Sequence, residues 1–239
     1  MKKIPVVLFM GLMLLLPLPG AMAQGGGVIF TGGLASSAMG DLKDLQEHIL
    51  STYPVDGRVT SSFPPFTTTS LTVFKQYFDY LRVGISYSYS TTGGKSSYQD
   101  YSGEVSTEMT ATSHRLGAYL SYVILGGDLV DLSLSGSLEA NYSSIFIQSR
   151  YKVYNYSQQI SNRYWSISPS GSIGPELFFK FNKVALGVNA GYLVDLRGEL
   201  KDNSDGDPLR DPNDRDRVLR SDWSGWYARI SLLINLRSL

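Results

Sequence analysis

The chain of 239 residues has no cysteine and only two histidines. Without cysteine there is no disulfide framework, no thiolate metal site and no residue for lipoprotein-type acylation. Excess charge of one sign is also missing. The 21 basic side chains balance 21 acidic ones, which removes the electrostatic reason to expect a nucleic-acid partner or a polybasic membrane patch. Beyond residue 23 there is no long apolar run, because polar residues interrupt each one within a few positions. No transmembrane helix is therefore expected there. A mean hydropathy of −0.07 would suit an ordinary soluble domain, but this value sums two opposite faces.

What is present begins with an address. Lys2 and Lys3 form a positive start, Ile4 to Leu18 is almost wholly apolar, and Ala21-Met22-Ala23 supplies small residues at cleavage spacing. This predicts a secretory signal peptide over 1–23, cut before Gln24, followed by one domain over 24–239. Its apolar stretch falls short of the ~20 residues a spanning helix needs. An exported chain without such a helix can still enter a membrane as a β-barrel, whose strands satisfy one another's backbone.

The rest of the sequence alternates with period two. From Val130 to Tyr142 one parity reads Val130, Leu132, Leu134, Gly136, Leu138, Ala140, Tyr142, and the other reads Asp131, Ser133, Ser135, Ser137, Glu139, Asn141. Such a stretch is a strand with one apolar and one polar face. Trp165 to Phe181, Val184 to Leu196 and Ala228 to Arg237 repeat the pattern, as do the shorter Leu81 to Tyr89 and Leu116 to Ile124. Val28 to Ser37 and Thr67 to Gln76 bring the count to eight. The links alternate too. Those around 77–80, 125–128 and 182–183 are short, whereas 38–66, 92–114, 143–163 and 197–222 are long. Tight turns on one side and extended loops on the other mark an eight-stranded antiparallel up-and-down transmembrane β-barrel, with short periplasmic turns, long extracellular loops and both termini in the periplasm.

Side-chain size decides which face is outside. The polar parity is mostly Ser, Gly and Asn, which suits a narrow lumen better than a solvated surface. Charge is instead gathered in the four long links, which hold 27 of the 40 charged residues after residue 23. Tyr87, Tyr89, Tyr122, Tyr142, Trp165, Tyr192 and Trp226 are expected in an outer aromatic girdle, and Phe179 and Phe181 in an inner one. On these residues the region from about Val28 to Arg237 resembles the small eight-stranded outer-membrane barrels of the OmpA/OmpX type, found in Gram-negative bacteria. The terminal strand, with Ile230, Leu232, Ile234 and Leu236, is similar to the signal read by the barrel-assembly machinery, although it ends in Leu239 rather than an aromatic. The resemblance implies outer-membrane lipid, that machinery and periplasmic chaperones as partners, together with an unidentified extracellular ligand. No peptidoglycan-binding domain is expected.

Candidate functional residues follow from the inward parity: Arg82, Asp131, Glu139, Glu176, Lys180, Asn189, Asp195 and Arg229. Buried charges must be paired. The spacing predicts a lower cluster of Arg82, Asp131 and Lys180 and an upper pair of Glu139 with Arg229. This network would fill the barrel as a polar plug, or, as the alternative, line a small porin or gated channel. An outer-membrane lipid-modifying enzyme is a third possibility, resting on His114 beside Ser113 and near Glu108, or on His48 near Asp44 and Glu47. Neither histidine shows a recognisable catalytic motif, so no catalytic residue and no resident cofactor is assigned. In the last loop, Asn203, Asp205, Asp207 and Asp211 are weak calcium candidates. Carboxylates near a glycine turn suit a hard cation, but Lys201 stands where an oxygen ligand would begin the loop, and no bidentate Glu follows. Leu42, Leu45, Ile49 and Leu50 fall on one face of a short helix with Asp41 as its expected N-cap. Taken together, the sequence predicts a non-enzymatic outer-membrane protein with a structural or surface-interaction role.

Overall fold

The computed structural model describes residues 23–51, 58–99, 101, 103–153, 156–214 and 216–236. The expected signal peptide, apart from Ala23, lies outside the described residues, as does Leu239. Twelve strands and one helix are described: β1 (Ala23–Ala35), α1 (Gly40–Ser51), β2 (Arg58–Ser62), β3 (Phe66–Tyr77), β4 (Leu81–Gln99), β5 (Gly103–Gly126), β6 (Val130–Val153), β7 (Tyr156–Phe181), β8 (Val184–Asp195), β9 (Gly198–Glu199), β10 (Lys201–Asp202), β11 (Arg220–Ser221) and β12 (Gly225–Asn235). Eight of them close a ring in the order β1-β3-β4-β5-β6-β7-β8-β12, with every neighbour antiparallel and β12 returning to β1. Closure leaves no open sheet edge at the level of the apolar belt, the condition for a sheet to sit in lipid.

The outward face is apolar all the way round. Leu120, Leu138, Ile167, Ile173, Val188 and Ile230 stand exposed on it, Leu138 at 77% and Ile230 at 68%. A continuous belt of this kind is not sustained in water and is the surface of a membrane-spanning barrel. Short turns at 78–80, 127–129 and 182–183 close one end, with Asn182 taking the left-handed φ of 58° that asparagine tolerates. One girdle assignment is corrected here. Tyr122 pairs in register with Leu81 and its ring lies 5.5 Å from Tyr80, so it belongs to the short-turn end rather than the loop end. Tyr87, Tyr89 and Tyr142 do gather at the loop end, around His114.

A larger correction concerns the long links. Residues 92–114 and 143–163 are chiefly strand: β4, β5, β6 and β7 run for 19, 24, 24 and 26 residues, against 11 to 13 for β1, β3, β8 and β12. From Gly103 to Val123 of β5 and along β6 the backbone parity does not change, but the apolar side chains swap faces. Low on β5, Leu116, Leu120 and Ile124 point outward; higher up, Val105, Met109 and Ala111 are buried on the inward parity and Glu104, Ser106 and Glu108 point outward. β6 repeats the exchange, with Leu134 and Leu138 outward and Ile145 and Ile147 inward. The medium changes from lipid to water at that height, and the apolar face changes with it.

Those inward residues supply a cap over the barrel mouth. Met39, Leu42 and Leu45 from α1 and its approach, Phe63, Phe66, Met109, Ala111, Ile145, Ile147, Tyr164, Leu193, Leu200, Leu219, Trp223 and Tyr227 form one buried apolar cluster. A second, smaller cluster, made of Ile29, Phe74, Tyr119, Phe178, Ala185 and Leu233, forms a floor toward the short turns. Glycines make room for its rings. A Cβ on Gly187 would come within 2.5 Å of the Phe178 ring, the residue it faces across β7 and β8.

Candidate functional site

The lumen is built in three tiers between floor and cap. In the lowest, Asp131 takes two cations: Arg82 Nη2 at 2.7 Å and Lys180 Nζ at 2.7 Å. The Arg82 guanidinium is held over the rings of Phe74 and Phe178, so the charged cluster and the apolar floor are one layer. Lys180 also donates to the Gly127 carbonyl, tying the layer to a short turn.

Above it lies a polar chamber with a cavity of about 40 Å³, lined among others by Ser86, Ser135, Ser137, Glu139, Glu176 and Arg229. The expected pairing of Glu139 with Arg229 is replaced. Glu139 meets Arg115 Nε at 3.5 Å and accepts a hydrogen bond from Ser86 Oγ at 3.0 Å. The Arg229 guanidinium instead stacks on the Tyr227 ring at 3.9 Å. Arg115 stands one residue before the alternation that begins at Leu116, and so escaped the inward count. Its parity, shared with Gly117, Tyr119 and Ser121, was the available signal. Glu176 accepts from Tyr119 Oη at 3.0 Å, and Asn189 lies opposite it in register, with its Oδ1 buried and free of a hydrogen bond among the described residues.

Asp195 is the hub of the top tier. It accepts from Ser168 Oγ on β7, from Asn141 Nδ2 on β6 at 3.3 Å and from the Trp223 amide at 3.1 Å. Trp223, fully buried, sends its indole N–H to Ser143 Oγ at 2.7 Å and meets Phe66 edge to face. Outside the cap, Arg217 bridges α1 to the last loop by contacting Asp41 and, at 3.4 Å, Asp211. Asp41 is therefore not an N-cap; its carboxylate takes Arg217 and the Arg220 amide.

The catalytic alternative finds no geometry at His114. Neighbours on a strand face opposite ways, so Ser113 donates inward to Asn141 Oδ1 at 2.7 Å while His114 points outward, with Nδ1 2.8 Å from Tyr87 Oη. The acidic loop spends its carboxylates on local turns: Asp202 on Ser204, Asp205 on the Asp207 amide, and Asp211 on the Asn213 amide. Hydrogen bonds from the Ser204 hydroxyl and amide hold the Asp202 carboxyl below its ordinary range. Among the described residues no group of three His, Asp or Glu is placed to hold a metal ion, so of the candidates Asn203, Asp205, Asp207 and Asp211 the three aspartates are not brought together.

The tall half of the wall offers a different feature. β2 covers the upper edge of β4, pairing over Gly94 to Ser97. On the far side β10 covers β7 at Tyr164 and Trp165, and the Asn203 amide reaches the Arg163 carbonyl at 3.0 Å. Beyond that, from Ser157 to Asn162, no strand among the described residues pairs with the outer side of β7, and all six residues are exposed. The carbonyls of Arg163 and Pro169 point to this side, so Ser157, Gln159 and Ser161, two residues apart, turn their amides and carbonyls the same way. Pro169 and Pro175 share this phase; their missing N–H groups lie toward β8, whose ladder skips Gly174 and Pro175.

No protein-family model matches the chain, and no curated protein does. Among solved structures the chain is similar to Ail, the attachment invasion locus protein of Yersinia pestis, at 12% identity over 88% of this chain and 99% of that one, with a TM-score of 0.41. The same protein in complex with the heparin analogue sucrose octasulfate gives 13% identity over 88% and 99%, with a TM-score of 0.43. The outer membrane protein OprG from Pseudomonas aeruginosa gives 14% over 90% and 98%, with a TM-score of 0.43.

Proposed function

We propose that this chain is a non-enzymatic outer-membrane barrel that displays a protruding β-sheet edge to an extracellular partner. The observation that carries the reading is the open edge of β7 from Ser157 to Asn162, held above the apolar belt by a wall of four long strands. At Ser157, Gln159 and Ser161 such an edge offers amides and carbonyls that no strand among the described residues pairs, and an extended peptide completes them by adding a strand. In this reading the short turns and both termini lie in the periplasm, and residues 1–23 are the export signal.

The porin alternative is disfavoured by the two apolar clusters, which close the lumen above and below a chamber with room for a few waters. The test is a Gln159→Pro variant, which removes an amide facing the open side and leaves the ladder to β6 intact. The protein in detergent micelles would be screened against a display library of extended peptides. Binders that protect the amides of Ser157, Gln159 and Ser161 from hydrogen exchange and lose affinity for the proline variant support the reading. Binders that map to the loop tips and ignore the substitution sink it.

A further inference from the structure

A strand added to the open edge of β7 would lie beside a particular set of side chains. Ser157, Gln159, Ser161 and Arg163 share the outward face of β7 with Ile167, because neighbours along a strand alternate. On β6, Lys152 stands in register with Ser157 and Arg150 with Gln159, on the same outward face. An incoming strand thus meets a cation one strand further in at two successive outward positions. Strands are ~4.8 Å apart, and an arginine or lysine stem extending over a short uncharged neighbour spans that gap toward an acidic side chain reaching back. Arg163 supplies a third cation, diagonal to the residue that would stand opposite Ser161.

These three cations are not neutralised from within. Elsewhere above the belt Lys95 meets Glu108, Arg197 meets Asp222, Arg220 meets Glu199, and Arg217 meets Asp41. Arg150, Lys152 and Arg163 meet no carboxylate among the described residues, and Glu104, in register with Lys152 across β5 and β6, forms no ion pair with it. The other face of the edge is different. There Ile160 is 52% exposed, an apolar side chain half uncovered between the polar Gln158 and Asn162.

Height separates this edge from lipid. Ile167, exposed at 62%, belongs to the lipid belt. Ser161 and Ser157 stand six and ten residues above it on β7, which at ~3.3 Å per residue and a strand tilt of ~40° is about 15 and 25 Å. A leaflet's headgroup layer is roughly 5–7 Å thick. The edge is therefore in water, open to a chain that arrives from outside.

Resting on the edge-displaying role proposed above, we infer that the strand β7 accepts is acidic, with carboxylates at three alternate positions opposite Ser157, Gln159 and Ser161 and an apolar side chain opposite Ile160. Run antiparallel to β7, the more stable pairing, such a peptide reads acid, apolar, acid, any residue, acid. The test compares two end-capped, fluorescein-labelled peptides, Glu-Ile-Glu-Thr-Glu and Gln-Ile-Gln-Thr-Gln, on the full barrel in zwitterionic micelles. Affinity is read by fluorescence anisotropy and the bound edge by hydrogen exchange. At low salt the acidic peptide should bind about tenfold more tightly, the sum of three exposed ion pairs, and should protect the amides of Ser157, Gln159 and Ser161. Arg150→Gln with Lys152→Gln should cut that advantage to about twofold and leave the glutamine peptide unaffected, as should roughly 0.5 M salt. Lys183→Gln, a cation at the opposite end, should change neither peptide. Equal affinities with the edge amides protected would overturn the acidic preference while leaving the open edge as a strand acceptor. Peptides that protect none of these amides would overturn both readings. An acidic advantage that survives the double substitution overturns the assignment to these cations, and so does polyphosphate that binds through the same cations while the edge amides stay exposed, because they would then serve a non-peptide polyanion.

Discussion

At Arg115 a guanidinium and the Glu139 carboxylate face each other inside the wall, with side chains 2% and 5% exposed. A buried pair of this kind contributes little net stability, but removing one partner strands the other. Arg115→Met should therefore destabilise the barrel by roughly 3–5 kcal/mol, while the double substitution with Glu139→Met should recover most of the loss. Urea midpoints of the refolded barrel in micelles would check this, and a double variant no better than the single would count against the pairing. At Asp202 the sign runs the other way along the pH axis from a buried base. Its folded-state carboxyl is held low by Ser204, so the turn is strengthened above the unfolded carboxylate range and that gain is lost as pH falls through the folded value. The Ser204 amide resonance should shift at a pH below that of an unconstrained aspartate, and the Ser204→Ala variant should move the Asp202 titration back up.

At the scale of elements, the belt was legible because lipid outside and small polar residues inside give every strand the same contrast. Strand ends at the short turns and the inward places of Arg82, Asp131 and Lys180 followed directly from parity. The upper halves of β4 to β7 were not legible as strand, because the contrast inverts there. Met109 and Ile147 point inward into the cap while Glu108 and Gln148 point out, and near Thr112 and Ser144 neither face is distinctly apolar. The cap itself combines Leu42, Leu200, Leu219 and Trp223, residues far apart in sequence whose meeting no local pattern announces. α1 was legible as an amphipathic helix, although the use of Asp41 as an anchor for Arg217 depends on a partner 176 residues away. Two consequences belong to this scale. Gly187→Ala should destabilise by about 1–3 kcal/mol, because its methyl overlaps the Phe178 ring in the floor; Gly206→Ala, at a φ of 80° in an open turn, should instead act through backbone strain in the loop. Thermal unfolding of each would separate the two, as only the first should loosen Phe178.

For the whole molecule, the two apolar clusters act in series along the lumen. Opening one end leaves the other closed, so single variants such as Trp223→Gly or Arg82→Gly should give no steady current in planar bilayers. Only variants that disrupt both cap and floor should conduct. Steady wild-type channels would overturn the sealed lumen, and conduction in the cap variant alone would show that the floor does not seal.

The cap also carries information about assembly. Its members come from α1 and the segment before it, from the upper hairpins and from the stretch that ends at Trp223, so it cannot be completed until all of these stand at the same end of the barrel. Packing of the cap is then expected as a late folding event that follows ring closure, because its members sit on strands and loops that the closed ring brings together. In a variant that keeps Trp223 as its sole tryptophan, the burial of that indole should lag behind the strand signal in circular dichroism during insertion into vesicles. A barrel with one loop left behind would have its strands in place and its mouth unsealed, and the exposed Trp223 would mark it as unfinished.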